Sequence, residues 1–130
     1  MVGKLVQGGQ QILSLDHNCL SRHTIVHEAS HALGFDHTQC RSDRDRFLDI
    51  FLNNVQPGTE HNFDKKDTNN ELVGFDYYSV LIYSPNAFSK NGQPTMQPKD
   101  PKNTRLLQDD ERQQLSKFDI EMIRRLYKCT

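Results

Sequence analysis

The chain has 130 residues, 35% hydrophobic and 25% charged, with a formal net charge of -1. That length predicts one domain with a modest core, and that balance leaves no basic excess for nucleic acid or an anionic membrane surface. No apolar run approaches the roughly 18 residues of a membrane span, and Met1-Val2-Gly3-Lys4 does not open a signal peptide.

In chain order, Gly8-Gly9 predicts a turn or bulge leading into a strand over Gln10 to Leu15. A helix follows, with Ser21 as its N-cap and Ile25, Val26, Ala29, Ala32 and Leu33 as its buried side. It carries the pattern His27-Glu28-Ala29-Ser30-His31-Ala32-Leu33-Gly34-Phe35-Asp36-His37. With this composition its five fixed residues coincide by chance about once in several million starting positions, so the pattern is read as chemistry. His27 and His31 sit one turn apart on one helix face, where both imidazoles reach one metal, and Glu28 lies beside that face. A ligand farther along a straight helix would rotate away. Gly34 answers this, because glycine takes a left-handed conformation, ends the helix and lets His37 complete the set. Three histidines leave the fourth zinc position open, as catalytic sites do, and the pKa of water held there falls to about 7. Glu28 is then the general base. A protein that binds zinc without turnover would need the same histidines, so that alternative stays open.

Beyond the helix, Arg41 to Asp49 alternates in charge and reads as a solvated loop running into a short element over Phe47 to Val55, closed by Pro57-Gly58. Asp64 to Asn70 reads as a polar surface loop. Asp76 to Ser84 places Tyr77, Tyr78 and Tyr83 around Val80-Leu81-Ile82, and Phe75, Tyr77 and Tyr78 are expected to pack rather than touch substrate. Taken alone, Tyr83 also reads as a core aromatic. Asn91 to Asn103, broken by prolines and glycines, is expected to be irregular and exposed. In a final helix Ser116 and Asp119 form a capping pair, with Phe118, Ile120, Ile123, Leu126 and Tyr127 as a buried stripe ending near Cys129. His17, His23 and His61 have no ligand partner at helical spacing and receive no metal role. Cys19, Cys40 and Cys129 are odd in number, so at least one is free, intermolecular or paired outside this chain, and none is spaced as a zinc pair.

The zinc pattern, preceded by Gly9-Gln10-Gln11 and Cys19 and followed by Arg44-Asp45, Asn62-Phe63-Asp64 and the tract from Phe75 to Tyr83, resembles the astacin family of secreted zinc metalloendopeptidases within the metzincin clan. The resemblance runs from about Val2 to Cys129 and is strongest to the arachnid venom members. It implies an α+β, metzincin-like catalytic domain, one Zn2+ per chain on His27, His31 and His37, and Glu28 as catalytic base. Tyr83 matches the tyrosine that is an extra ligand in the resting enzyme and swings off to stabilise the oxyanion. It further implies a secreted monomer acting on protein or peptide substrates, including extracellular matrix or plasma proteins.

Two departures from the family pattern stand out. Leu81 and Ile82 occupy places where methionine and histidine are common; leucine is near methionine in volume, so the apolar floor should survive at a cost below about 1.5 kcal/mol. Thr38 replaces a glutamate that the family bonds through water to the mature N-terminus, so that link is not expected. Family domains are also longer. By the resemblance, residues 1–130 are part of one peptidase domain beginning within an edge strand, in a longer secreted precursor. Cys19 and Cys129 then match cysteines paired with others in the missing part, and Cys40 has no assigned partner.

Overall fold

A computed structural model describes Leu13, residues 21–107, Arg112 and residues 114–129. The strand expected over Gln10 to Leu15, apart from Leu13, and the positions of His17 and Cys19 lie outside the described residues. The elements are α1 (Arg22–Ala32), β1 (Leu48–Ile50), β2 (Met96–Pro98) and α2 (Lys117–Tyr127), joined by 3-10 turns. β1 and β2 pair antiparallel, with Leu48 opposite Pro98, Asp49 opposite Gln97 and Ile50 opposite Met96. Helices beside a small antiparallel sheet give the expected α+β architecture. Among the described residues no helix is long and apolar enough to cross a membrane.

The N-terminus of α1 follows from local chemistry: the Ser21 hydroxyl accepts the Thr24 N–H at 3.1 Å, satisfying one donor that the first helical turn leaves unpaired. The buried side is narrower than the apolar pattern implies. Val26 and Leu33 pack inward whereas Ile25 is exposed, because the stripe through 26, 30 and 33 faces the core and residue 25 lies about 100° away.

Among the described residues two apolar clusters form the core. Leu48, Val55, Phe63, Ile82, Met96 and Leu107 close one beneath the sheet, and Phe35, Val80, Leu81 and Met122 close the other between the helices. Consecutive residues of a single turn therefore face opposite ways: Val80 and Leu81 enter the second cluster and Ile82 the first. Leu81 is fully buried, so the apolar floor anticipated at that position is present.

α2 starts at the expected capping box: the Ser116 hydroxyl accepts the Asp119 N–H and the Asp119 carboxylate accepts the Ser116 N–H, both at 2.9 Å. Its expected stripe needs correction. Phe118, Ile120 and Tyr127 are exposed, and the inward side is Asp119, Met122, Ile123 and Leu126. A carboxylate holds the first core-facing position, which an apolar count passes over.

The tract from Arg41 to Asp49 is not the solvated loop its charges suggested. Arg41 and Arg44 are buried. Arg41 Nη1 donates to the carbonyls of Asn70, Val73 and Gly74 at 2.5, 3.0 and 3.3 Å. Arg44 Nη1 donates to those of Gln39 and Phe63 at 2.8 and 2.6 Å. Each guanidinium thus pins irregular backbone whose carbonyls have no ladder. Asn70, expected on a surface loop, is likewise buried, and it brackets Asp36 by accepting from its N–H and donating to its carbonyl. Thr95, Met96 and Pro98 are buried in a region expected to be exposed, because β2 covers the first cluster. Phe75 and Tyr77 pack as expected, whereas Tyr78 is exposed.

Asp43 grips the Arg41 guanidinium with both oxygens, at 2.8 and 2.9 Å. Those hydrogen bonds hold the Asp43 carboxyl below the usual carboxylate range. Its pKa is thus lower folded than unfolded (about 3.9), so the stabilisation is present above that unfolded value and is lost as pH falls through the folded one. Acid denaturation followed by circular dichroism should show Asp43→Asn losing part of the stability difference between pH 6 and pH 3 that the parent shows; an identical acid limb in both would refute this.

Candidate metal centre

α1 ends as the pattern requires. Gly34 has φ +98°, its N–H donates to the His31 carbonyl at 2.9 Å, and the Phe35 N–H reaches back to the Ser30 carbonyl at 3.3 Å. These two bonds form a Schellman stop, which needs a residue free to enter the left-handed region. The chain then reverses and brings His37 beside the helix.

The three histidine rings converge through their Nε2 atoms. His27 and His31 are 3.0 Å apart, His31 and His37 3.1 Å, and His27 and His37 3.2 Å. His27 Nδ1 lies 2.7 Å from the Val80 carbonyl and His31 Nδ1 2.8 Å from the Phe35 carbonyl. A carbonyl only accepts, so Nδ1 carries the proton in both rings and Nε2 presents a bare lone pair. Lone pairs that close repel one another unless a cation sits among them. Ligands about 2.0–2.1 Å from a tetrahedral zinc lie roughly 3.3 Å apart, so this donor set fits one zinc ion. Burial, then the neighbouring His31 and His27, pulls the His37 pKa down to about 3, and burial also lowers that of His27. Both are therefore neutral and ready to ligate.

His27, Glu28, His31, His37 and Tyr83 line one open cavity of about 730 Å³, with Asp36, Asn62 and Lys66 completing its wall. The Tyr83 ring lies 4.4 Å from that of His37, centroid to centroid. Burial, then the nearby Cys40 and Glu28, pushes the Tyr83 phenol up to about 12, so it stays a hydrogen-bond donor across the physiological range. The sequence-derived set His27, Glu28, His31, His37 and Tyr83 is thus brought together. His61 is exposed, and His23 Nδ1 meets the Arg112 carbonyl at 2.7 Å.

What the sequence reading missed is the hydrogen bonding of the turn beneath these groups. The Val80 carbonyl orients His27, the Leu81 carbonyl accepts the Thr38 N–H at 2.9 Å, the Ile82 carbonyl accepts from Arg112, and the Tyr83 N–H donates to Gln39 Oε1 at 3.3 Å. Asp119 anchors the same turn from α2: Oδ1 accepts the Ser79 hydroxyl at 2.7 Å and Oδ2 the Val80 N–H at 3.1 Å. A carboxylate at the third helical position signals a cap, not the distant turn it also holds. Thr38, where a glutamate was expected by family, is buried, and its hydroxyl has no partner among the described residues. Cys40 is buried and Cys129 exposed, both unpaired among the described residues.

Residues 1–128 match the peptidase family described as Astacin. The chain is 43% identical to "Astacin-like metalloprotease toxin 1" of Loxosceles intermedia, over 98% of its own length and 50% of that protein's. It is 45% identical to "Zinc metalloproteinase nas-15" of Caenorhabditis elegans, over 99% of its own length and 22% of that protein's. Among solved structures it resembles High choriolytic enzyme 1, a hatching enzyme zinc-protease from Oryzias latipes, with a TM-score of 0.75 and 39% identity over 83% of this chain and 53% of the other. The chain spans at most about half the length of these relatives.

Proposed function

The chain belongs to the astacin family of peptidases, and from that premise we propose that the protein is a zinc metalloendopeptidase. The observation that carries this reading is the convergence of three Nε2 atoms within 3.2 Å of one another, in a cavity that also presents Glu28 and Tyr83.

In this reading His27, His31 and His37 hold the zinc. When bound, the ion supplies Lewis acidity that polarises the scissile carbonyl and lets water release a proton near neutral pH. Glu28 takes that proton as the water attacks and delivers it to the departing amine. Tyr83 donates its hydroxyl to the developing oxyanion. The backbone carbonyls at Nδ1 of His27 and His31 keep both rings in the tautomer and orientation that ligation needs.

Substrates are proteins or peptides. The relatives named as a toxin and as a hatching enzyme support action outside the cell, and we extend the reading to a secreted monomer that degrades extracellular matrix or plasma proteins. The test is cleavage of gelatin and a quenched peptide by the full-length protein. Chelation should abolish cleavage and added zinc restore it. One bound zinc per chain with no cleavage of either substrate would instead favour a protein that captures peptides without hydrolysing them.

A further inference from the structure

We propose that Gln39 is a positioning residue for Tyr83, fixing the backbone from which the phenol enters the metal cavity; the inference rests on the oxyanion role given to Tyr83 above. Gln39 lies two residues after His37, in the 3-10 turn Thr38–Cys40, and is fully buried. Its Oε1 accepts the Tyr83 N–H at 3.3 Å, while the Thr38 N–H beside it donates to the Leu81 carbonyl at 2.9 Å. Two bonds therefore clamp the segment leaving the third histidine onto the segment leading into the tyrosine. Arg44 steadies both sides of that clamp. Its Nη1 binds the Gln39 carbonyl and the Phe63 carbonyl, and the Phe63 ring stands edge-on to Tyr83 at 5.9 Å.

The other half of the amide argues for the same role. Gln39 Nε2 is buried with no partner among the described residues. A buried amide that leaves its donors unused costs stability, and methionine would fill similar space without that cost. A locally unfavourable choice beside a reactive site is where function outweighs packing. What glutamine supplies here and methionine does not is the acceptor for Tyr83.

The experiment uses the full-length protein carrying Gln39→Met, Gln39→Glu, Tyr83→Phe and the double variant Gln39→Met with Tyr83→Phe, all loaded with zinc. Amide exchange at Tyr83 should accelerate at least about tenfold in Gln39→Met and return towards the parent rate in Gln39→Glu, which keeps the acceptor. Alongside, kcat should fall roughly tenfold in Gln39→Met with KM and zinc content unchanged, and roughly 100-fold in Tyr83→Phe. In the Tyr83→Phe background Gln39→Met should cost nothing further, because both changes act through one group. If Tyr83→Phe leaves kcat intact, the role of Tyr83 fails and this proposal with it. If Tyr83→Phe is slow but Gln39→Met is unimpaired, or its loss multiplies with that of Tyr83→Phe, only the Gln39 assignment fails. A Gln39→Met protein that no longer folds or holds one zinc would also overturn it, by making Gln39 a structural residue.

Discussion

Glu28→Gln is expected to lower kcat for peptide cleavage by roughly 10²–10⁴-fold, the range that a positioned general base contributes, while the protein keeps one zinc. Glu28 follows His27 directly on α1 and lines the same cavity as the three imidazoles. Glutamine matches glutamate in size and helix propensity, so the change leaves α1 and the histidine cluster in place and removes only the capacity to accept a proton. Metal content by plasma spectrometry and turnover of a quenched peptide separate the two functions in one preparation. Cleavage within tenfold of the parent would show that Glu28 is not the base. Loss of metal together with activity would show that Glu28 supports ligation instead.

Asp119→Ala should be the most destabilising single change among the described residues outside the apolar clusters, by about 3–5 kcal/mol, the lower end of the sum for three donors left without an acceptor at about 1–3 kcal/mol each. The Asp119 carboxylate is buried and accepts three hydrogen bonds: from the Ser79 hydroxyl, the Val80 N–H and the Ser116 N–H. Alanine leaves these donors facing a cavity with no acceptor. It removes half of the α2 capping box and also frees the turn whose Val80 carbonyl orients His27. Zinc affinity should therefore fall as well, by the 10–100-fold typical when a group that orients a ligand is lost. Urea denaturation of the zinc-free protein gives the first number and competition with a chromophoric chelator the second. A stability loss under about 1 kcal/mol would show that Asp119 is a helix cap and nothing more.

The metal centre was legible because its information is local. Ligand spacing, the glycine stop and both helix caps are contained within stretches of about a dozen residues, where helix geometry alone dictates which side chains meet. Asp119, Gln39, Arg41 and Arg44 were not legible in their roles. Alternating charge between residues 41 and 49 looks the same whether guanidiniums face water or cap buried carbonyls, and Arg41 finds its carbonyls about thirty residues away. Asp119 reaches back forty residues to Ser79. Such partners exist only once the chain has folded, and the pairing of β1 with β2, forty-six positions apart at Ile50 and Met96, belongs to the same class. Tyr83 falls between the two cases: its ring packs against the first cluster and also lines the cavity, so neither burial nor composition separates core from site.

The turn at Val80-Leu81-Ile82 divides its side chains between two cores while its successive carbonyls serve His27, Thr38 and Arg112. Such a segment is constrained in length far more than in composition. Apolar residues of similar volume should exchange there at small cost, as leucine for methionine at position 81 does. Removing or adding one residue would turn the side chain at the cluster boundary into the wrong cluster and shift every carbonyl to the wrong recipient. Changes in this stretch should therefore accumulate as replacements, and a gap there would disable the metal site and both halves of the interior at one stroke.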